Sequence, residues 1–475
     1  MSGRAFREQT LEELAFHRDE DTIMQSIERH QLTRRAAVGR GLAGLGALAA
    51  AANARPLLAQ SVDDPLTEDE ISLVFLGHVA GGDREQATYD SILAMWHELH
   101  PNIKVEYQLV PDQDRITRVQ SRIAGGQAPD LWRHNHNVVR LWASEGLLLD
   151  LTDLLPANYH EIFLPALMAT CRFQDRTYGL PHTTDTSSLF YRKDALDAIG
   201  VEPPASMDAG WTWDEFDEIC NQVIALGNQD YAFSHNQGAG RWVPSFLYSS
   251  GGRIVDDEMA AMAINTPEAA RAFGWVKSWT ENEWVSPGIW DSGLTNPNES
   301  SDEFIRGTAS MAILGQWNIT YLDEQIRDQF EWGVTYLPHD QIQTTSLGGT
   351  PIVASATTEH PREVAAFMEF FTSAEMIKLF AESANYMPVR TDVADMDLTF
   401  QVRDDLMQVF KELIVTMPQT YGEFVSRTFS SGVTTIITEE SSRLMFEDIT
   451  PEESVATVES RGNEFIQANP DPEAV

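Results

Sequence analysis

Between Ile71 and Trp132 the hydrophobic period changes repeatedly, and that alternation constrains the fold more than any other feature of the chain. Ile71-Ser-Leu-Val-Phe-Leu-Gly77 is a short apolar run closed by glycine, the pattern of a buried strand. Asp83 to Leu99 predicts a helix with Tyr89, Ile92, Trp96 and Leu99 along one face, and Pro101 follows its end. Ile103, Val105, Tyr107 and Leu109 alternate, which predicts a second strand. Helical spacing returns at Ile116, Val119 and Ile123 within Asp112 to Ile123, and Gly125-Gly126 stops it. Ala128-Pro-Asp-Leu-Trp132 is then a third strand and its end. The order β-α-β-α-β with short links implies an α/β chain with an open, mostly parallel sheet flanked by helices. Such sheets take ligands beyond the carboxyl ends of their strands. The loops that begin at Gly77 and Trp132 are therefore the first places to look for a site.

The chain has 475 residues, enough for two or more domains, and 43% hydrophobic residues, enough to fill their cores. Thr212-Trp-Asp-Glu215, Thr372-Ser-Ala-Glu375 and Thr450-Pro-Glu-Glu453 read as capping boxes, and Thr266-Pro267 as another helix start. Phe216, Ile219, Cys220 and Val223 form one apolar stripe, and Val364, Phe367, Met368 and Phe371 another; both are expected in the core. Cys171 and Cys220 are the only cysteines, and two buried thiols are the simpler expectation than a disulfide.

Charge excludes some partners. There are 33 basic and 72 acidic residues, and residues 1–54 hold seven of each, so the whole excess of 39 lies beyond them. A surface of that sign repels phosphate backbones and anionic membrane faces, which argues against nucleic acid.

The first 54 residues read as an export signal. Thr33-Arg34-Arg35-Ala36-Ala37-Val38 resembles a twin-arginine motif, an uncharged run follows from Gly41 to Ala54, and Ala52-Asn53-Ala54 offers a cleavage pattern. The run is shorter than the ~18–20 apolar residues of a spanning helix. No cysteine stands near the cut, so no lipid anchor is expected there. The product is expected outside the cytoplasm, periplasmic or extracellular.

Further motifs occur in a definite order. Gly125-Gly-Gln-Ala-Pro-Asp-Leu-Trp132 precedes Trp142-Ala-Ser-Glu-Gly-Leu-Leu-Leu-Asp-Leu151. Tyr178-Gly-Leu-Pro181 precedes Leu189-Phe-Tyr-Arg-Lys-Asp194, and Trp211-Thr-Trp-Asp-Glu-Phe216 follows. Phe304-Ile-Arg-Gly-Thr-Ala-Ser-Met311 leads to Gly315-Gln-Trp317, then Trp332-Gly-Val through Pro338, Gly348-Gly349 and Met387-Pro-Val-Arg390. Together, over residues 70 to 465, they resemble the bacterial extracellular solute-binding proteins of family 1, the group that includes maltose-binding protein. The resemblance implies a two-lobe periplasmic-binding-protein fold of type II, with the ligand cleft between lobes joined by crossover segments. It divides the chain into a first lobe of 70–185 and 338–385 and a second of 186–337, with C-terminal helices of 386–466 packed on the second lobe. It also implies a monomer that receives a small solute, most simply a carbohydrate, and passes it to the transmembrane subunits of an ABC importer, with no catalysis, cofactor or metal. The alternatives are a secreted glycosidase and a sensor subunit on the same scaffold.

A sugar site needs aromatic faces for the C–H side of the ring and short polar groups for its hydroxyls. Trp132 and Arg133 follow the third strand, and at least one is expected at the ligand; otherwise Trp132 caps the core. His78 lies in the glycine-rich loop after the first strand. Asp185 lies between crossover motifs, where it either accepts ligand hydroxyls or stays solvated. Trp242 stands where the family often has an aromatic residue, and Trp317, in the matched Gly-x-Trp, is the leading stacking candidate. Gly349 offers a backbone N–H at the second crossover. Arg390 either bonds the ligand or braces the hinge, and Tyr421 stands near an aromatic position of the maltose-binding subgroup.

Overall fold

The computed structural model describes residues 62–78, 82–110, 114–235, 239–286 and 299–471, without the side chains of 239–242 and 299. The export signal lies outside the described residues, as does the side chain of Trp242.

The β-α-β-α-β reading is realised in order. β1 (Ile71–Gly77) is followed by a helix over Gly82–Leu99, β2 (Ile103–Leu109), a helix over Arg115–Ala124 and β3 (Leu131–Arg133). β1 pairs in parallel with β2, Ile71 opposite Ile103, and with β3, Phe75 opposite Leu131. The apolar pattern forms this pairing because Leu73, Phe75, Ile103 and Val105 all point to one buried layer. Leu99 departs from expectation: it ends its helix 62% exposed, beyond the reach of the core that takes Tyr89, Ile92 and Trp96.

After β3 come the two-residue strands β4 (Arg172–Phe173) and β5 (Arg176–Thr177), then β6 (Gly179–Pro181), β7 (Ser187–Arg192), β8 (Tyr231–His235), β9 (Ala309–Gly315), β10 (Trp332–Thr335) and β11 (Pro351–Ala354). Two main sheets result. The first has the order β2-β1-β3-β11-β6, and the second β10-β7-β9-β8. β11 runs antiparallel to both β3 and β6, so the first sheet is mixed rather than mostly parallel. The chain thus builds most of one sheet, leaves after Pro181 to build the other, and returns at Pro351.

Each sheet is covered by helices that bury aromatic residues. On the first, Phe75 meets Phe371 edge-on at 5.6 Å, and Trp96 meets Phe367 at 5.2 Å. These contacts join the start of the chain to the helix Pro361–Phe371, whose whole expected stripe is buried. On the second, Trp213, Phe216, Phe233, Phe246 and Trp279 interlock at ring separations of 4.9–5.9 Å. Cys171 and Cys220 are buried and unpaired.

The C-terminal helices do not all pack alike. Ser430–Phe446 and Pro451–Ala468 pack on each other and on Ala239–Ser249 and Pro267–Glu281, on the second lobe. Gln419–Ser426 instead packs on Pro165–Ala169 and His136–Val138 of the first lobe, contrary to expectation. Gly422 permits this, because a Cβ there would stand 2.4 Å from the Ala166 carbonyl oxygen.

Thr212 and Thr450 form complete capping boxes with Glu215 and Glu453. The third expected box is shifted: Ser373, not Thr372, caps its helix by accepting from the Met376 N–H, while the Thr372 hydroxyl donates to the Met368 carbonyl that ends the preceding helix. Replacing Thr450 with Ala should lower the unfolding free energy by about 1 kcal/mol in urea titration. An unchanged midpoint would mean that this cap does not contribute.

Candidate functional site

Where β1 and β3 end, a cavity of about 450 Å³ opens between the lobes. Its floor is organised by Arg133, the last residue of β3, which is 1% exposed. Its Nη1 donates to Glu85 Oε1 at 2.7 Å and to the His78 carbonyl at 2.8 Å. Its Nε donates to Thr350 Oγ1 at 2.9 Å, and its Nη2 lies 3.4 Å from Thr183 Oγ1. Glu85 is fully buried, and its second oxygen accepts from the Tyr386 hydroxyl at 3.2 Å. A single guanidinium and its carboxylate thereby tie the loop after β1, the first helix and all three segments that pass between the sheets.

Those segments run side by side. Thr183 and Thr350 exchange backbone hydrogen bonds of 3.1 and 3.2 Å, and Thr184 forms an isolated bridge with Met387. Gly349 sits among them with φ +88°, and a Cβ there would lie 2.1 Å from the Thr183 carbonyl oxygen. No residue with a side chain fits that position without moving the neighbouring strand. Asp185 and Gly348 join Gly349 on the cavity wall.

One aromatic face of the wall comes from the other lobe. Trp317 lines the cavity just past the end of β9, with its indole folded back over Gly315. A Cβ on Gly315 would lie 1.9 Å from that ring, so the glycine of Gly315-Gln-Trp317 is what lets the indole lie there. Tyr421 and Phe424 add faces from the helix Gln419–Ser426.

Four imidazoles stand in the first lobe around this floor. His78 lines the cavity and lies 3.1 Å from Arg115 Nη1 through its Nδ1. Burial, reinforced by Arg133 and Arg115, drives its pKa far below that of an ordinary histidine. His136, also on the wall, has its Nδ1 2.5 Å from Thr170 Oγ1. Burial lowers its pKa to about 4, against an opposing pull from the Thr183 carbonyl. His134 packs edge-on to Trp142 at 4.3 Å, and burial with Arg115 brings it down to about 3. His182, stacked on Phe371 at 4.4 Å, is lowered as well, by burial and then Arg133. All four are neutral at pH 7.

Of the residues singled out in the sequence, the cavity brings together His78, Arg133, Asp185, Trp317, Gly349 and Tyr421. Two lie elsewhere. Trp132 is fully buried, packed 5.9 Å from Trp142. Side chains alternate along β3, so the turn that sends Arg133 to the cavity floor sends Trp132 to the opposite face. Arg390 grips Asp392 through two hydrogen bonds of 2.9 and 2.6 Å and donates to the Thr372 carbonyl at 3.1 Å, which makes it a brace. Arg115, Asn135, His136, Asn137, Tyr386 and Phe424 line the cavity but were not selected as ligand contacts. The rule that placed the site beyond Trp132 already pointed to 135–137; no local pattern marked the others.

Two α/β lobes joined by three adjacent crossing segments, with a polar, aromatic-walled cavity at the strand ends, define a two-lobed binding protein. The chain belongs to the bacterial extracellular solute-binding proteins, whose family model matches residues 92–406. It is similar to the maltotriose-binding protein of Pyrococcus abyssi, 24% identical over 317 residues, and the match spans 65% of each chain. The chain therefore matches just under two thirds of that relative's length. Two solved structures share the fold. One is the GacH receptor of Streptomyces glaucescens, solved unliganded and with acarbose (TM-score 0.69, 20% identity, 84% of this chain and 99% of that one). The other is the cyclic alpha-maltosyl-1,6-maltose binding protein of Arthrobacter globiformis (TM-score 0.69, 16% identity, 84% and 100%).

The buried imidazoles make stability depend on acid. Each has a folded pKa below the ~6.5 of an exposed histidine. Below that pH the unfolded chain binds protons that the folded chain refuses, so stability falls as the pH drops. The loss grows until about pH 4 for His136 and about pH 3 for His134. Each group contributes at most about 1.4 kcal/mol per pH unit. The unfolding free energy from urea titration should be lower at pH 5 than at pH 7, with His134 and His136 contributing about 2 kcal/mol each and His78 and His182 adding to the loss. His134→Gln should shrink that difference; equal stabilities at the two pH values would mean that the imidazoles are charged in the fold.

Proposed function

We propose that the protein is the substrate-binding component of an ABC importer and holds a sugar or sugar-like solute between its lobes. The observation that carries this reading is the cavity wall itself. Indole and phenol rings from Trp317 and Tyr421 share the cavity with neutral hydrogen-bonding groups from His78, His136, Asn135 and Thr183. That combination suits a ring with an apolar C–H face and a rim of hydroxyls. The ligand contacts assigned are Trp317, Tyr421, Asp185, His78, Arg133 and the Gly349 backbone. Binding draws the lobes together because a solute that touches both favours the closed state by its differential affinity.

Catalysis is no part of this reading. Glycoside hydrolysis needs two carboxyl groups about 5–9 Å apart across the bond. Among the described residues that line the cavity, Asp185 supplies the one carboxylate. Sugars from a panel headed by maltotriose should raise the melting temperature without being cleaved. Release of reducing ends would replace the receptor with an enzyme. Trp317→Ala should weaken binding of the stabilising sugar at least tenfold, ~1.4 kcal/mol, in titration calorimetry. An affinity kept within about threefold, ~0.65 kcal/mol, would remove Trp317 from the site.

The protein reaches its place of action through the twin-arginine route, works there as a soluble monomer without a lipid anchor, and divides into lobes at the crossing segments near Pro181, Leu337 and Tyr386. Arg34→Lys combined with Arg35→Lys should leave the precursor in the cytoplasm, scored by fractionation. Normal export of that variant would assign the leader to another pathway.

A further inference from the structure

The helix Gln419–Ser426 leaves the second lobe to pack on the first, and it is also a wall of the cavity through Tyr421, Phe424 and Val425. It is wedged between the lobes. Gly422 seats it on the Ala166 backbone of the first, while Tyr421 packs 5.2 Å from Tyr248 of the second. The chain then passes through Arg427 and Thr428 into Ser430–Phe446, which belongs to the second lobe. At that joint lies Asp471, just past the helix Pro451–Ala468, with its side chain fully buried. Its carboxylate accepts from the Thr428 N–H at 3.0 Å and from Thr428 Oγ1 at 3.4 Å. It stands 3.7 Å from Arg427 Nη1 and 3.6 Å from Nη2 of Arg140, in the helix Val139–Ser144 of the first lobe. Arg140 is 5% exposed, covers the Phe173 ring at 5.7 Å, and reaches Ser426 Oγ at 3.4 Å, at the end of the wedged helix.

We infer that Asp471 is a positioning residue for the ligand cavity: by pairing with Arg140 and Arg427 it holds Gln419–Ser426 against the first lobe. The buried Arg140 guanidinium and the partly buried one of Arg427 repel each other, and one fully buried carboxylate between them turns that repulsion into a clamp. The clamp lies apart from the cavity-lining residues, so it acts on the solute only through the helix it holds. A wall fixed before the ligand arrives lowers the ordering cost of binding and slows release. This inference rests on the cavity being the solute site, but the clamp itself can be tested without a ligand.

Amide hydrogen exchange on the unliganded full chain separates the possibilities. Asp471→Asn keeps the shape and removes the charge. Exchange across 419–426 should rise about tenfold or more, while 309–315 and 451–468 keep wild-type rates. Asp471→Glu, which restores the charge, should stay within about threefold of wild type. Unchanged exchange at 419–426 in Asp471→Asn overturns the inference. So does a rise shared equally by 451–468, which would make Asp471 a plug for the last helix, and so does a Glu variant as loose as the Asn variant. If Asp471→Asn does not accumulate, Gly422→Ala disturbs the same seat sterically with the ion cluster intact. Exchange at 419–426 should rise there too, and wild-type protection would mean that the helix is not seated as inferred. Maltotriose, used as the probe, should dissociate about tenfold faster from Asp471→Asn than from wild type; equal off-rates overturn the link to the cavity. If wild-type protein does not bind maltotriose, the sugar assignment is in question and the exchange measurements still decide the clamp.

Discussion

The Arg133–Glu85 pair is the interaction on which the centre of the molecule depends. Both side chains are withdrawn from water, 2% and 0% exposed, at a separation of 2.7 Å. Removing two charges from water costs several kcal/mol per ion, and their attraction offsets this only when the remaining hydrogen-bonding positions are also filled. Here they are filled by the crossing segments. Thr183, Thr350, the His78 carbonyl and Tyr386 each contact one of the two ions. The ion pair and the crossovers therefore need each other. The segments that join the lobes are held where the guanidinium requires partners, and the guanidinium is tolerable because they are there. A hinge fastened at one end to a rigid floor can turn without distorting the floor.

That floor is polar with little net charge toward the cavity, where Arg115 and Asp185 offset each other, which contrasts with a chain whose net charge is −39. Arg133 is neutralised by Glu85, and burial keeps the imidazoles of His78 and His136 uncharged. A neutral imidazole offers one donor and one acceptor without the long field of a charge. Such a lining favours a solute recognised by many directional hydrogen bonds. The acidic surface keeps the molecule apart from anionic neighbours while leaving a neutral solute indifferent to it.

Much of this was legible in the sequence, and the limits of legibility are physical. The first sheet was readable because its periods are local: Ile103, Val105 and Tyr107 alternate whatever the remainder of the chain does. The direction of β11 was not, because Pro351–Ala354 is a short apolar run whose orientation depends on where the chain returns, some 170 residues after β6. The capping box at Thr372 failed by one residue because two helices abut there and Thr372 serves the first of them. The packing of Gln419–Ser426 on the first lobe was invisible for a related reason. Its cause is a glycine's missing Cβ against Ala166 and a distant carboxylate, and neither leaves a periodic trace.

Aromatic residues show where such reading stops. Trp132 and Trp317 each stood in an ordered motif, Trp317 as the leading stacking candidate and Trp132 as either a ligand contact or a cap on the core. What separates them is geometry at the scale of one residue. Trp132 is still inside its strand, so alternation decides its face, and Arg133 beside it has taken the side toward the cavity. Trp317 stands two residues beyond the end of β9, free of that alternation, and its direction is set by the one neighbour that offers no Cβ. A tryptophan past the end of a strand, with glycine two positions before it, can lay its ring over the backbone and present a face. A tryptophan within the strand, with a long cation after it, has no such freedom. The motif Gly-x-Trp thus carries a physical instruction, and the glycine is the half of it that positions the ring.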